Sequence, residues 1–266
     1  VKKISTMRHV TDLRRLLSLT AMVALTTLGG CNGKPALPEA PDAMRAAGYS
    51  RAPQIIEVAQ AGSNVFVVTG QTIPDARVRF GYGGNRAIGV TSDSKGRFRA
   101  ELPAGPQGGL YDLSTEDGGR LMYAEGRLFI PPLAPHKAVL MRAGSPSLAL
   151  FNDDTEVAVL DYDAAGALAI SGRVAPSAAV EVILNGDIWR TTSDDRGYYN
   201  ATTQIEPPLK TETPNSLTLV VGEKQIKRDF TDVLPADNED AISRVGEGWR
   251  VAWKLPGGGM QTTLVF

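Results

Sequence analysis

Apolar and polar residues alternate with a period of two through the chain from Gln54 onward. In Ala76-Arg77-Val78-Arg79-Phe80 and in Ala178-Ala179-Val180-Glu181-Val182 every second position is apolar. That is the pattern of a strand with one buried face. Turn-forming residues break the runs at short intervals, so strand follows strand, and the pattern predicts an all-β protein.

The strands recur as an internal repeat. One copy reads Val68-Thr69-Gly70, Pro74-Asp75-Ala76-Arg77-Val78-Arg79-Phe80 and Thr91-Ser92-Asp93-Ser94-Lys95-Gly96-Arg97-Phe98. The other reads Ile170-Ser171-Gly172, Pro176-Ser177-Ala178-Ala179-Val180-Glu181-Val182 and Thr192-Ser193-Asp194-Asp195-Arg196-Gly197-Tyr198-Tyr199. Upstream, Ile55-Ile56-Glu57-Val58 answers Val157-Ala158-Val159-Leu160. Each copy ends in a strand–turn–strand unit. The first runs from His136–Arg142 through Gly144-Ser145-Pro146 to Ser147–Phe151. The second runs from Trp249–Leu255 through Pro256-Gly257-Gly258-Gly259 to Met260–Phe266. The modules therefore span 54–152 and 153–266, each near the roughly 100 residues of a small β-sandwich.

The Asp-x-x-Gly tetrads at 93–96 and 194–197 predict turns in which the Asp accepts backbone amides ahead of it and the glycine takes a positive φ. Phe98 and Tyr199 then point into the core. Both copies resemble the carboxypeptidase regulatory-like and transthyretin-like group of immunoglobulin-type sandwiches. The shared pattern is Gly, Pro-x-Ala-x-Val, then Thr-x-Asp-x-x-Gly-x-aromatic. Leu102-Pro103-Ala104-Gly105 and Leu110-Tyr111-Asp112-Leu113 extend the match in the first copy; the second departs there, with Glu206-Pro207-Pro208. The resemblance covers about half the chain and implies two tandem immunoglobulin-like (transthyretin-like) β-sandwich modules, a fold and not an activity.

The N-terminal segment follows a different plan. Basic residues up to Arg14-Arg15 precede an uncharged apolar run, Leu16–Leu28. At about 13 residues it suits a signal peptide and falls short of a membrane span. It ends in Leu28-Gly29-Gly30-Cys31, which resembles the lipobox of bacterial lipoproteins. The resemblance implies a signal peptide over 1–30, cleavage between Gly30 and Cys31, a diacylglyceryl thioether on Cys31, and a further acyl chain such as palmitate on its amine. Two or three chains anchor stably where one does not. Asn32, where Asp would favour inner-membrane retention, favours the outer membrane of the cell envelope. Residues 31–53, with Pro35, Pro38, Pro41 and Pro53, read as the lipidated cysteine and a flexible tether.

Composition narrows the function classes. The apolar (42 %) and charged (21 %) fractions are those of a folded protein. Removing residues 1–30, with five basic side chains against Asp12, turns a formal charge of −1 into −5, which gives no footprint for nucleic acid. Cys31 is the single cysteine, so neither a disulfide nor a cysteine zinc site is expected within the chain.

Little in the sequence suggests catalysis, and neither metal nor cofactor is expected. His136 is the one histidine outside the signal segment, and no G-x-S-x-G elbow accompanies it; it reads as an exposed strand-edge residue. Gly81-Tyr82-Gly83-Gly84 and Gly257-Gly258-Gly259 precede no helix and read as hairpin turns. Asp153, Asp154, Glu156, Asp161 and Asp163 gather at the module junction without calcium-loop spacing and read as solvated acids. Trp249, Val251 and Trp253 share one strand face. Together with Trp189, the two tryptophans are either a stacking platform for sugars or, as the periodicity favours, part of a packed core. Two functions follow: a non-enzymatic, lipid-anchored envelope protein that binds or scaffolds a protein or glycan partner, and a carbohydrate- or peptidoglycan-binding accessory using the Trp249/Trp253 strand.

Overall fold

The alternating runs fold as antiparallel strands whose apolar faces meet in three layers. The computed structural model describes residues 50–62, 65–103, 105–150, 157–206, 209–232 and 239–266. They all belong to one unit, Met44–Phe266.

In the first module β1 (Gln54–Gln60), β2 (Val65–Gln71) and β5 (Arg97–Pro103) form a three-stranded sheet in the order β1-β2-β5. Facing it is a sheet of β3 (Arg77–Tyr82), β4 (Arg86–Thr91), β6 (Gly109–Asp117), β7 (Arg120–Ile130), β8 (Val139–Met141) and β9 (Leu148–Ala149), ordered β4-β3-β6-β7-β8-β9. Phe66, Phe80, Phe98, Leu102, Leu113 and Leu128 fill the space between them. Phe80 and Phe98 meet edge to face at 5.9 Å.

The second module repeats the plan with β10 (Val157–Asp163), β11 (Ala167–Arg173), β12 (Ala179–Leu184), β13 (Asp187–Thr192), β14 (Tyr198–Gln204), β15 (Asn215–Val221) and β16 (Lys224–Phe230). To these it adds β17 (Ala241–Val245), β18 (Gly248–Lys254) and β19 (Met260–Val265). Its sheets are ordered β13-β12-β15-β16 and β14-β11-β10-β19-β18-β17. Leu160, Ile170, Val182, Tyr199, Leu219 and Leu264 lie between them. Both modules are therefore two-sheet sandwiches.

The repeated turns are built alike, atom for atom. The Asp93 carboxylate accepts the amides of Lys95 (2.9 Å) and Arg97 (2.8 Å); that of Asp194 accepts those of Arg196 (2.8 Å) and Tyr198 (2.9 Å). The Arg97 amide holds the Asp93 carboxyl below the usual carboxylate range. Gly96 and Gly197 follow at φ 77° and 78°. A Cβ on either would stand 2.1 Å from a carbonyl oxygen, that of Thr72 or Val174, so the turn requires glycine. Behind each turn a serine hydroxyl ties the neighbouring loop. Ser92 donates to the Ile73 carbonyl and Ser193 to that of Ala175, both at 2.7 Å. Phe98 and Tyr199 are buried, as the alternation requires.

The terminal unit of the first module departs from expectation. His136 lies not in a strand but in a 3₁₀ turn, Pro135–Lys137, and it is half-buried. Pro135 fixes φ and has no N–H to give a ladder. The strands that follow, β8 and β9, are only three and two residues long.

Candidate functional site

The third apolar layer lies between the modules. Strands β7, β8 and β9 contribute Phe129, Val139, Met141 and Ala149. Strands β10, β18 and β19 contribute Val159, Trp249, Val251, Trp253 and Val265. A sandwich sheet normally turns its outer face to water, which makes the alternation clean. Here β18 is buried on both faces from Gly248 to Trp253. Inter-domain contacts within a chain are usually polar and yielding, whereas this seam is packed like an interior.

One buried carboxylate sits in the seam. Asp161 of β10 is 4 % exposed. Its Oδ2 accepts the Ser147 amide (2.7 Å). Its Oδ1 accepts the hydroxyls of Ser147 (2.7 Å) and Thr263 (2.6 Å) and the amide of Gln261 (3.2 Å). Thr263 in turn accepts the Trp253 indole N–H at 3.1 Å, and Ser171 donates to the Ser147 carbonyl at 2.6 Å. Ser147 belongs to the hairpin of the first module; the other groups belong to the second. Asp161 thus fixes one module on the other by filling the polar capacity of a segment that could not otherwise be buried. Burial pushes its carboxyl pKa up, and the four donors pull it partly back. Further along, Gln261 reaches the Arg142 carbonyl (3.2 Å) and Arg173 reaches that of Ala149 (2.8 Å).

Where the seam opens to solvent it leaves two adjoining clefts. One, of about 490 Å3, is walled by Tyr82 and Arg86 of the β3–β4 hairpin, Gly105 and Gly108 of the β5–β6 loop, and Ile242 of β17. The other, of about 470 Å3, is walled by Tyr123 and Glu125 of β7, Trp253, Leu255 and Pro256. Arg127 and Asp240 line both and form the partition. The Arg127 guanidinium holds Asp112 through Nε (2.7 Å) and Asp240 through Nη1 (2.7 Å). Asp240 also accepts the Lys254 amide at 3.0 Å.

The residues expected to carry function are dispersed. Gly30 and Cys31 lie outside the described residues, as do Asp153, Asp154 and Glu156. Trp253 is 1 % exposed and Trp249 9 %, both in the seam, with the Arg244 guanidinium 4.7 Å from the Trp249 ring centre. Neither indole offers a free face to a sugar. Trp189 is half-buried on β13, against the core of the second module. The junction acids part company: Asp161 is buried as described, while Asp163 accepts the amides of Ala165 (2.9 Å) and Ala167 (3.0 Å) in its own turn. No cluster of three or more His, Cys, Asp or Glu suited to a metal occurs among the described residues.

Two features escaped the sequence. An Asp set between Leu160 and Tyr162, in a strand whose only other acid is its last residue, Asp163, was the available signal for a buried carboxylate. Nothing local joins Arg127 to Asp240, which are 113 positions apart.

No protein-family model and no curated protein matches the chain. Among solved structures it is similar to one titled "Biofilm associated protein - BSP domain", with 16 % identity and a TM-score of 0.22. The alignment covers 69 % of this chain and 30 % of that one, so the chain spans under a third of that structure's length.

Proposed function

We propose that this chain is a non-enzymatic lipoprotein of the bacterial cell envelope whose two sandwiches work as one rigid body to bind or scaffold another envelope component. The supporting observation is the buried seam. A third apolar layer and the Asp161–Ser147 link fix the modules in one orientation, so a partner meets a preformed surface and no ordering cost is added on binding. In this reading the lipid on Cys31, at the outer membrane, and the tether to residue 53 set where that body stands. The partner is a protein or a glycan; the acidic chain does not suit nucleic acid.

Metabolic labelling with palmitate tests the anchor. The wild-type chain takes up label and sediments with membranes, and Cys31→Ser abolishes both. Undiminished labelling of that variant overturns lipidation at this residue. Crosslinking in intact cells then identifies the partner, and the same partner should be lost when the Cys31→Ser form is released from the membrane.

A second reading, a carbohydrate- or peptidoglycan-binding accessory, is favoured by one observation. The seam clefts are walled by tyrosine rings beside paired charges, so in this reading stacking falls to those tyrosines and not to Trp249, Trp253 or Trp189.

A further inference from the structure

We propose that the protein pairs with a second copy of itself through β14, the free edges of the two strands meeting antiparallel about a two-fold axis at Thr202. The inference goes beyond the anchored-scaffold reading and does not depend on the anchor.

An edge strand offers unpaired backbone groups to any other strand, and proteins guard such edges with charges, proline, bulges or brevity. The edges of the four sheets are β1, β5, β14, β17, β13, β16, β4 and β9. β1 has a bulge at Ile55/Glu57, and β9 is two residues long. β4, β5, β13, β16 and β17 carry Arg86, Arg99, Arg190, Lys227 and Arg244. The stretch of β7 that β8 leaves free, Leu121–Gly126, holds Glu125 and lies against a register shift with β6. Among the described edges of more than two residues, β14 alone has no charge, no proline and no register shift over its length, Tyr198–Gln204.

The repeat shows a guarded edge at the same place. β5 is the counterpart of β14, each following its Asp-x-x-Gly turn and pairing along its whole length with one neighbour, β2 or β11. On β5 the outward residues include Arg97, Arg99 and Glu101, and the inward Phe98, Ala100 and Leu102 are all buried. On β14 the exposed outward residues are Asn200, Thr202 and Gln204. Its inward Tyr199 is buried, but Ala201 and Thr203 are only half-buried. The second sandwich is thus incompletely covered where the first is closed, and one more strand beside β14 would complete it.

The backbone fixes the register. The Gly197 carbonyl accepts the Val174 amide and the Ile205 amide donates to the Gly166 carbonyl, both at 2.9 Å, so the odd-numbered residues of β14 face β11. Asn200, Thr202 and Gln204 therefore turn their N–H and C=O groups to the free side, while those of Tyr198 turn to Asp194. With the axis at Thr202, that residue meets its own copy, Asn200 meets the second copy's Gln204, and Gln204 meets its Asn200. The three outward N–H groups of each copy then all find a carbonyl. Hydroxyl faces hydroxyl, amide faces amide, and no like charges are opposed. The same operation on β5 sets Glu101 against Glu101 and puts Pro103, which has no N–H, opposite Arg99. A strand of another protein would use the same backbone groups, but this chain's own sequence supplies the match at every outward position.

Sedimentation velocity of the full chain in detergent tests the pairing. A dimer is expected at micromolar concentration. Thr202→Lys, which sets two like charges on the axis, should weaken association tenfold or more. Glu101→Lys, at the equivalent place on β5, should leave it unchanged. A disulfide reads the register directly, in the Cys31→Ser background so that the introduced thiol is the one cysteine. Residues facing each other at such a position stand about 5.5 Å apart between Cα atoms, within the disulfide range of about 4.4–6.8 Å. Mild oxidation should therefore join two chains of Thr202→Cys and leave Glu101→Cys single. A monomeric wild type overturns the proposal, as does a dimer undiminished in Thr202→Lys or a Thr202→Cys form that does not crosslink to itself. Oxidation in intact cells that joins Thr202→Cys to a different protein in place of a second copy overturns the choice of partner. Labelling at Cys31 is untouched by any of these results, so the anchor stands or falls separately.

Discussion

The two modules share turns, core positions and strand order, yet their terminal hairpins attach to opposite sheets. In the first module β8–β9 extends the β4-β3-β6-β7 sheet; in the second β18–β19 joins β10 and so extends the other sheet. The strands that precede and follow each connection show it. β7 runs on for 11 residues to Ile130, and a short segment holding Pro131, Pro132 and Pro135 returns the chain directly alongside it. In the second module β16 ends at Phe230 and the next strand, β17, begins at Ala241 on the edge of the opposite sheet. The consequence is read at one position. Ala59 pairs with Val67 and Asp161 with Ala169, equivalent places in the two copies. With no strand beside β1, Ala59 is exposed; with β19 beside β10, Asp161 is buried. The same strand is thus a module surface in one copy and the clamp of the seam in the other.

Substitutions can break that contrast. The largest effect is expected for Trp253→Ala, which empties the middle of the third layer and should cost about 3–5 kcal/mol of unfolding free energy in urea. It should also raise amide exchange in β8 and β9, too short to persist alone. Next comes Asp161→Ala, which strands the Ser147 amide and the Thr263 hydroxyl and should cost about 2–4 kcal/mol. The matching change in the first module, Ala59→Asp, should stay within about 0.5 kcal/mol; a comparable loss at both sites would erase the distinction. Gly96→Ala and Gly197→Ala sharpen it from the other side. Their turns are alike, so each should cost about 2 kcal/mol by the same measurement, and a large disparity would show that the turns carry different loads.

The smallest effect is a pH dependence. The folded pKa of Asp161 lies above its ordinary 3.8, so the folded chain holds that proton more tightly than the unfolded chain. Its contribution is then full below about pH 3.8 and is lost as pH rises through the folded value. In Asp161→Asn this dependence disappears. The stability of wild type relative to Asp161→Asn should therefore fall as pH is raised from 3 towards neutrality, and a relative stability that rises contradicts the assignment.

The all-β sandwich class, the buried strand faces and the repeated turns were legible because they rest on local rules. Alternation sets the buried face, Asp-x-x-Gly sets the turn, and the repeat states both twice. The seam was not legible. Trp249, Val251 and Trp253 announced an apolar face but not what covers it, because the same period describes a core and an exposed platform. Nor does any local signal say which sheet a hairpin joins, since that depends on how far the preceding connection can travel. The grooves follow from the seam and were hidden with it.

The central claim is that the two modules are one cooperative body. Scanning calorimetry of the intact chain tests it most directly. The buried seam predicts a single transition whose calorimetric and van't Hoff enthalpies agree. Two resolved transitions, each with about half the enthalpy, would contradict it.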